Sequence, residues 1–520
     1  DTAPKSHAES TDIAKSSPRW TPVVSKQELV ENKETNQTEP TKGGYPRGTI
    51  RGEVVLQFSD TASLNEAIRR LTEAGVPLKG SIRGLNMLRV AVPDGGPPSA
   101  LDGLLGDLRP ETSFNKPVEL PLPIELPDDI NPLLAFGNDW LELIGVTSDN
   151  SDWGAGVRIA VIDSGVTRHP ALDGANISHF AMLDGAVASG HGNAVTSIIV
   201  GNGDPGQPRG LAPAAEILAY QAMDADGGDA FTIAESIVDA VDRGASIINL
   251  SLGGFGDNEA VAQAVEYAQY AGVVIVAAVG NDRLIQITYP AAYDGVIAVT
   301  AIDANYHWAE FPNAGIEGKI PDIAGPGVGI TAAYEDDTNI AFTGTSAAAP
   351  AIAAAIAADM SVTNSSAVES ANRILANASD RGEPGDDAYL GAGYLDMRRV
   401  MQASEPGIID LAISDNYADL TRSTNAGLPV RIGVQNRGTE TVSQSVLTVL
   451  IGNRANMQEI TMPSLAPGET TEFEALIPVE HFQRKGGAQL GAVIRTTQGE
   501  ESYTDNNMLA TQYFLPGTDE

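Results

Sequence analysis

Three residues of this 520-residue chain have the types and settings that acyl transfer needs: a carboxylate, an imidazole and a hydroxyl. Asp163 closes the apolar run Ile159-Ala160-Val161-Ile162 and is followed by Ser164-Gly165. That pattern reads as a strand ending in a turn, and it puts the carboxylate at the C-terminal edge of a sheet, where open parallel sheets build their sites. His191 precedes Gly192 at the start of a helical stretch. Ser346, in Gly344-Thr345-Ser346, opens the run Ala347-Ala348-Ala349-Pro350-Ala351-Ile352-Ala353-Ala354-Ala355. Such a helix has almost no polar face and belongs in the middle of a large domain. Its N-terminus would surround the serine with free N–H groups and the positive end of the dipole. Taken singly, each residue has a plainer reading: a turn aspartate, a structural histidine, a helix-capping serine. Taken together they supply a nucleophile, a base to accept its proton, and an acid to fix the imidazole tautomer.

The order Asp…His…Ser is one of the known orders for this constellation. Residues 135–402 resemble a subtilisin-family serine endopeptidase. Asp163-Ser164-Gly165, His191-Gly192 and Gly344-Thr345-Ser346-Ala347 are similar to that family's three catalytic blocks. Two further blocks fall in order between them. Ile248-Asn249-Leu250-Ser251-Leu252-Gly253-Gly254 resembles its substrate-binding strand, and Val276-Ala277-Ala278-Val279-Gly280-Asn281 its oxyanion strand. The resemblance implies an α/β fold with a parallel sheet and helices on both faces. It also implies hydrolysis of protein or peptide substrates through an acyl-enzyme, with Asp163, His191 and Ser346 as the triad and Asn281 as an oxyanion donor beside the Ser346 N–H. The backbone of Ser251, Leu252 and Gly253 is expected to pair with the substrate as an added strand, Gly253 and Gly254 to leave room for the side chain before the scissile bond, and Asp226, Gly227 and Gly228, by a looser resemblance, to form the facing strand. Two positions depart from the pattern: Asn193 stands where threonine is common, and Ala347 where methionine is frequent. Asparagine can cap a helix as threonine can. Of the other histidines, His169 before Pro170 is expected to be structural, His179 and His307 to lie in surface turns, and His7 and His481 to fall outside the catalytic segment.

The chain is too long for one compact domain. Residues 1–44, rich in Ser, Thr, Glu, Lys and Pro, read as a disordered or extended arm. Residues 45–118 read as a small α+β domain with strands near 53–58 and 85–92, an amphipathic helix from Ser63 to Ala74 begun by a serine cap, and a short helix from Leu101 to Leu108. Its place ahead of the catalytic segment resembles a propeptide, which would make the chain a self-processing zymogen with its own propeptide as a partner. Residues 119–134 form a proline-rich linker, extended in tendency, that could hold a self-cleavage site. The catalytic domain is expected over 135–404. Beyond it, over 405–520, apolar alternation near 430–438, 446–451, 471–477 and 489–494 reads as a β-sandwich. Its turn motifs resemble the CARDB-type modules of secreted bacterial proteins.

Thirty-two basic residues against 68 acidic ones give a net charge of −36, which repels nucleic acid and anionic membranes. No cysteine is present, so disulfides are excluded and the redox compartment is unreadable. The one long apolar run, after Ser346, is claimed by the core, so no membrane span is expected. A secreted or cell-surface location follows from the arm, the propeptide-like segment and the sandwich. No cofactor is required. Many members of the family bind structural calcium, and acids are plentiful here, but no ligand loop stands out and the metal ligands stay unknown. The alternative is a surface or filament protein that uses this fold as a scaffold and self-assembles through its arm or sandwich.

Overall fold

A computed structural model describes residues 45–514 apart from 122–123, 125–133, 184, 317, 453–455 and 483–486. The expected arm, and most of the expected linker, lie outside the described residues. The centre of the chain is a seven-stranded parallel sheet. Its order across the sheet is Ile323–Pro326, Ile297–Ile302, Val274–Ala278, Ile247–Leu250, Arg158–Asp163, Glu216–Gln221 and Asn176–Ala181. Strands buried on both faces should be continuously apolar, and Ile-Ile-Asn-Leu, Val-Ile-Val-Ala-Ala and Ile-Ala-Val-Thr-Ala-Ile are nearly so. The sheet winds outward in both directions from the boundary between Arg158–Asp163 and Ile247–Leu250, and Asp163 sits at the carboxyl end of that boundary. Such switch points are where the crevice of a doubly wound sheet opens.

Two apolar layers clamp the sheet. On one face pack the helices Gly190–Val200 and Thr345–Thr363, with the alanines of the second wholly buried. Side chains as small as alanine let that helix lie close to the strands, which accounts for its lack of a polar stripe. It is long and apolar enough to cross a membrane, yet 83% of its apolar window is buried in the domain. On the other face lie Ala230–Asp242 and Glu259–Tyr270.

Ahead of this unit a four-stranded antiparallel sheet has the order Leu78–Ile82, Met87–Ala91, Glu53–Gln57, Glu111–Ser113. Its two faces follow the period of two. Val54 and Leu56 pack on the sheet's own helix, Thr61–Glu73, while Val55, Ile82 and Met87 join the cluster of Ala230–Asp242. That helix is capped by Asp60, which accepts from Ser63 N at 2.8 Å, and not by Ser63 as expected. The segment 101–108 is a single α-turn, Asp102–Leu105, between two 3₁₀ turns, because Gly103 and Gly106 weaken a longer helix.

After the central unit, two antiparallel sheets of three and four strands enclose one core that includes Leu428, Val430, Ile432, Leu447, Leu490 and Ile494. The four expected strands are present, and Leu411–Tyr417, Met457–Thr461 and Met508–Tyr513 join them. Polar groups hold the sandwich to the central unit: Gln435 accepts from Asp380 N at 3.0 Å and donates to Ala378 O at 3.2 Å, and Arg437 donates to Asp380 O at 3.1 Å.

Candidate active site

Asp163 lies at the end of its strand with its carboxylate buried. Ser164 N donates to Asp163 Oδ1 at 2.7 Å and the Ser164 hydroxyl does so at 3.1 Å. His191 Nδ1 stands 2.9 Å and 3.0 Å from the two Asp163 oxygens. The imidazole is held by its helix: Ser189 caps Gly190–Val200, and Ser164 Oγ accepts from Gly192 N at 3.1 Å, tying the helix entry to the aspartate turn. The ring packs edge-on against Phe342, with centroids 5.4 Å apart. A carboxylate on Nδ1 selects the tautomer with its proton there, so Nε2 presents a lone pair. Nε2 is buried and has no hydrogen-bond partner among the described residues.

Ser346 is the second residue of its helix. Its hydroxyl donates to Ser251 O at 3.3 Å rather than to His191, so the aspartate–histidine link is made in this structure and the histidine–serine link is not. Asn281 is anchored through one end of its amide: Oδ1 accepts from Thr345 N and Thr345 Oγ1, both at 2.9 Å. Its other end, Nδ2, is buried without a partner among the described residues. Gly344 has φ +146° and ψ +166°, a conformation that is essentially glycine's alone. A methyl group built on Gly344 would stand 3.2 Å from Asn281 Nδ2 and 3.6 Å from Ser346 N. Two donors therefore converge on a point that only the missing Cβ keeps open.

Ser251, Leu252, Gly253 and Gly254 follow the strand Ile247–Leu250 and form one wall of a cleft. Gly227–Asp229 forms the other. Between them lies the tail of the small domain: Pro117–Val118 pairs antiparallel with Asp229 and Gly228, and Glu119 bridges to Gly253 with N–H···O at 3.3 Å. A Cβ on Gly227 would come within 2.7 Å of Val118 O, so glycine there permits the approach. Farther along, Ile124 N donates to Thr343 O at 3.1 Å. Val118 and Leu120 pack on the same cluster as Leu252.

The small domain docks by a polar network that sequence reasoning missed. Arg89 links Glu53 at 3.0 Å to Asp229 at 3.0 Å. Asn115 donates to both carboxylates, at 2.9 and 2.8 Å, and accepts from Phe231 N at 2.9 Å, so it joins Asp229 in capping Ala230–Asp242. Burial would push the Glu53 carboxyl up, but the bonds from Lys79, Asn115 and Arg89 hold it below the usual range. The sequence shows only a glutamate opening one apolar run, Glu53, and an arginine inside another, Arg89; their pairing is set by the register that puts Arg89 opposite Val55.

Asn193 is an interior helical residue, not a cap: its amide accepts from Thr167 N and donates to Thr167 Oγ1 and Tyr334 O, each at 2.8 Å. His169 is buried, accepts from Ala171 N at 3.1 Å and contacts Thr338 O at 3.0 Å, as a structural histidine does. His179 lies within the edge strand Asn176–Ala181, not in a turn, because backbone pairing with Glu216–Gln221 overrides its polar sequence. Among the described residues no group of three or more His, Cys, Asp or Glu is placed to hold a metal ion.

The model of the subtilase family matches residues 154–393, and that of the CARDB family residues 408–511. Thermitase of Thermoactinomyces vulgaris is 38% identical over 208 residues, 38% of this chain and 73% of thermitase. The thermophilic serine proteinase of Bacillus sp. strain AK1 is 32% identical over 323 residues, 60% of this chain and 77% of that protein. Among solved structures, the epidermin leader peptide processing serine protease of Staphylococcus aureus aligns over 68% of this chain and all of its own, with a TM-score of 0.57 and 19% identity, a likeness of fold. With the switch-point sheet, the buried Asp163–His191 pair and these relatives in hand, the chain belongs to the subtilase family of serine endopeptidases, with a CARDB domain after its catalytic fold.

Proposed function

We propose that the chain is a secreted endopeptidase made as a self-inhibited zymogen, with Asp163, His191 and Ser346 as its triad. His191 Nε2 takes the Ser346 proton as Oγ attacks the substrate carbonyl, and Asp163 stabilises the imidazolium. The resulting oxyanion sits between Asn281 Nδ2 and Ser346 N, the point that Gly344 leaves open. His191 then hands the proton to the leaving amine, and water reverses the sequence on the acyl-enzyme. Extended substrate runs between Gly227–Asp229 and Ser251–Gly254 as a middle strand.

In this reading residues 45–118 act as the propeptide, 119–134 as the linker that is cut, 135–404 as the catalytic domain and 405–520 as an accessory domain for anchoring or substrate contact. The observation that carries it is the seating of Pro117–Glu119 in the cleft, paired on both sides as a substrate would be. The same seating favours an enzyme over the scaffold alternative, since a scaffold has no use for a filled cleft. Calcium, if it binds, serves stability and not chemistry. The test is hydrolysis of casein and of a fluorogenic peptide by wild type beside Ser346→Ala, after the residues before 134 have been removed. Turnover by wild type alone supports the proposal, and equal rates for the two, or none, refute it.

A further inference from the structure

We propose that Pro121 makes the segment in the cleft refractory to the enzyme's own serine, so that residues 117–121 act as a standing inhibitor and the bond after 121 is not the first one cut. The inference rests on the reading of Ser346 as the nucleophile. It comes from the register. Glu119 faces Gly253 in an antiparallel pair, and Glu119 N donates to Gly253 O at 3.3 Å. Antiparallel partners run in opposite directions, so Leu120 falls opposite Leu252 and Pro121 opposite Ser251. Pairs that exchange hydrogen bonds alternate along such a ladder, and after 119 and 253 the next is 121 and 251. The acceptor waiting there is Ser251 O, and the donor should be the N–H of residue 121. Proline has none.

The unclaimed acceptor is taken by the nucleophile: the Ser346 hydroxyl donates to Ser251 O at 3.3 Å, and His191 Nε2 has no partner among the described residues. Farther along the chain, Ile124 N donates to Thr343 O at 3.1 Å, next in sequence to Gly344. In this register the carbonyl of residue 121 is the one that an N–H at 121 would bring toward Asn281 Nδ2 and Ser346 N; with proline there, Asn281 Nδ2 has no partner among the described residues. Cutting there would join Ser346 Oγ to that carbonyl carbon, break its bond to the Leu122 nitrogen, and pass the serine proton through His191 to that amine. With proline at 121 the substrate lacks the bond that fixes the carbonyl, and the serine is drawn off its base.

Full-length wild type, Pro121→Ala and Pro121→Leu are incubated in parallel, each also in a Ser346→Ala background, and new N-termini are followed by intact mass and sequencing. Both variants restore the N–H, and Pro123→Ala controls for loss of a proline. The expected result is a new N-terminus at Leu122 in the two variants, at least about ten-fold faster than in wild type or Pro123→Ala, and none with Ser346→Ala. Equal appearance of Leu122 in wild type, or its absence from both variants while Ser346 still reacts with a fluorophosphonate, overturns the proposal and leaves the protease reading intact. No fluorophosphonate reaction at Ser346 in any form fails the protease reading itself. If the variants do not fold, a peptide of residues 115–125 is added to processed wild type: it should persist and inhibit, whereas its alanine-121 analogue should be cut after 121. Equal cleavage of the two peptides overturns the proposal.

Discussion

Gly344→Ala gives a direct reading of the oxyanion point. The added methyl would lie 3.2 Å from Asn281 Nδ2 and 3.6 Å from Ser346 N, in the space where the account places the developing oxyanion. The oxygen and the methyl cannot share it. Loss of one such donor costs about 2.7–4 kcal/mol, a figure established on a subtilisin and borrowed here, which corresponds to about 10²–10³ in kcat. Blocking both donors should therefore lower kcat by at least about 10³-fold. The ground-state substrate binds through the walls at 227–229 and 251–254, which the methyl does not touch, so KM should change little. Stability pays separately, because φ +146° is forced on an alanine: about 1–3 kcal/mol of strain, or a few degrees in the melting temperature of a chain this size. The assay is kcat and KM on a fluorogenic peptide, with a thermal melt to confirm folding. A folded Gly344→Ala whose kcat stays within ten-fold of wild type would refute the oxyanion assignment.

Asp163→Asn keeps the shape but offers an N–H to His191 Nδ1 and so selects the wrong tautomer; kcat should fall by about 10⁴-fold with KM nearly unchanged, and a loss under ten-fold would count against the triad. Arg89→Ala removes the link between Glu53 and Asp229 across the docking face, which should weaken docking by about 2–5 kcal/mol and speed N-terminal processing by roughly ten-fold or more; unchanged kinetics, followed by intact mass, would show that the network does not hold the domain on. Burial, reinforced by Asp380 and Glu383, pushes the Asp387 carboxyl up to about 7. The unfolded value is near 4, so between about pH 4 and 7 the folded state binds more protons and stability falls as pH rises. Asp387→Asn can still accept from Tyr389 N and Leu390 N, and it should flatten that decline and raise the melting temperature at pH 8; melting curves from pH 4 to 8 that match wild type would contradict it.

Local signals carried much of this molecule. Asp163 and His191 were legible because each ends or begins an element whose apolar pattern is strong, and the alanine run after Ser346 could only be a core helix. What escaped was set by distant partners. Leu78–Ile82 carries a lysine and a glycine, and Met457–Thr461 is an exposed edge, so neither has the alternation that marks a strand. Leu411–Tyr417 turns polar after Ile413, and its pairing with Gly427–Asn436 shifts register between Ile413 and Asn416, so the alternation that marks a strand is broken. The cap on Ala230–Asp242 is shared with Asn115, more than a hundred residues upstream, and no local pattern announces that. The open point at Gly344 is a property of one backbone angle and the absence of one carbon, and a sequence shows only the glycine.

The central claim is that Ser346 is the activated nucleophile of a cleft its own chain first fills. Fluorophosphonate labelling of the purified chain during incubation, mapped by peptide mass and run beside Ser346→Ala, tests it most directly. The account predicts one label, on Ser346, rising as the residues before about 134 are lost, and none on the variant. An unlabelled Ser346 after those residues have been trimmed away by an added protease would contradict it.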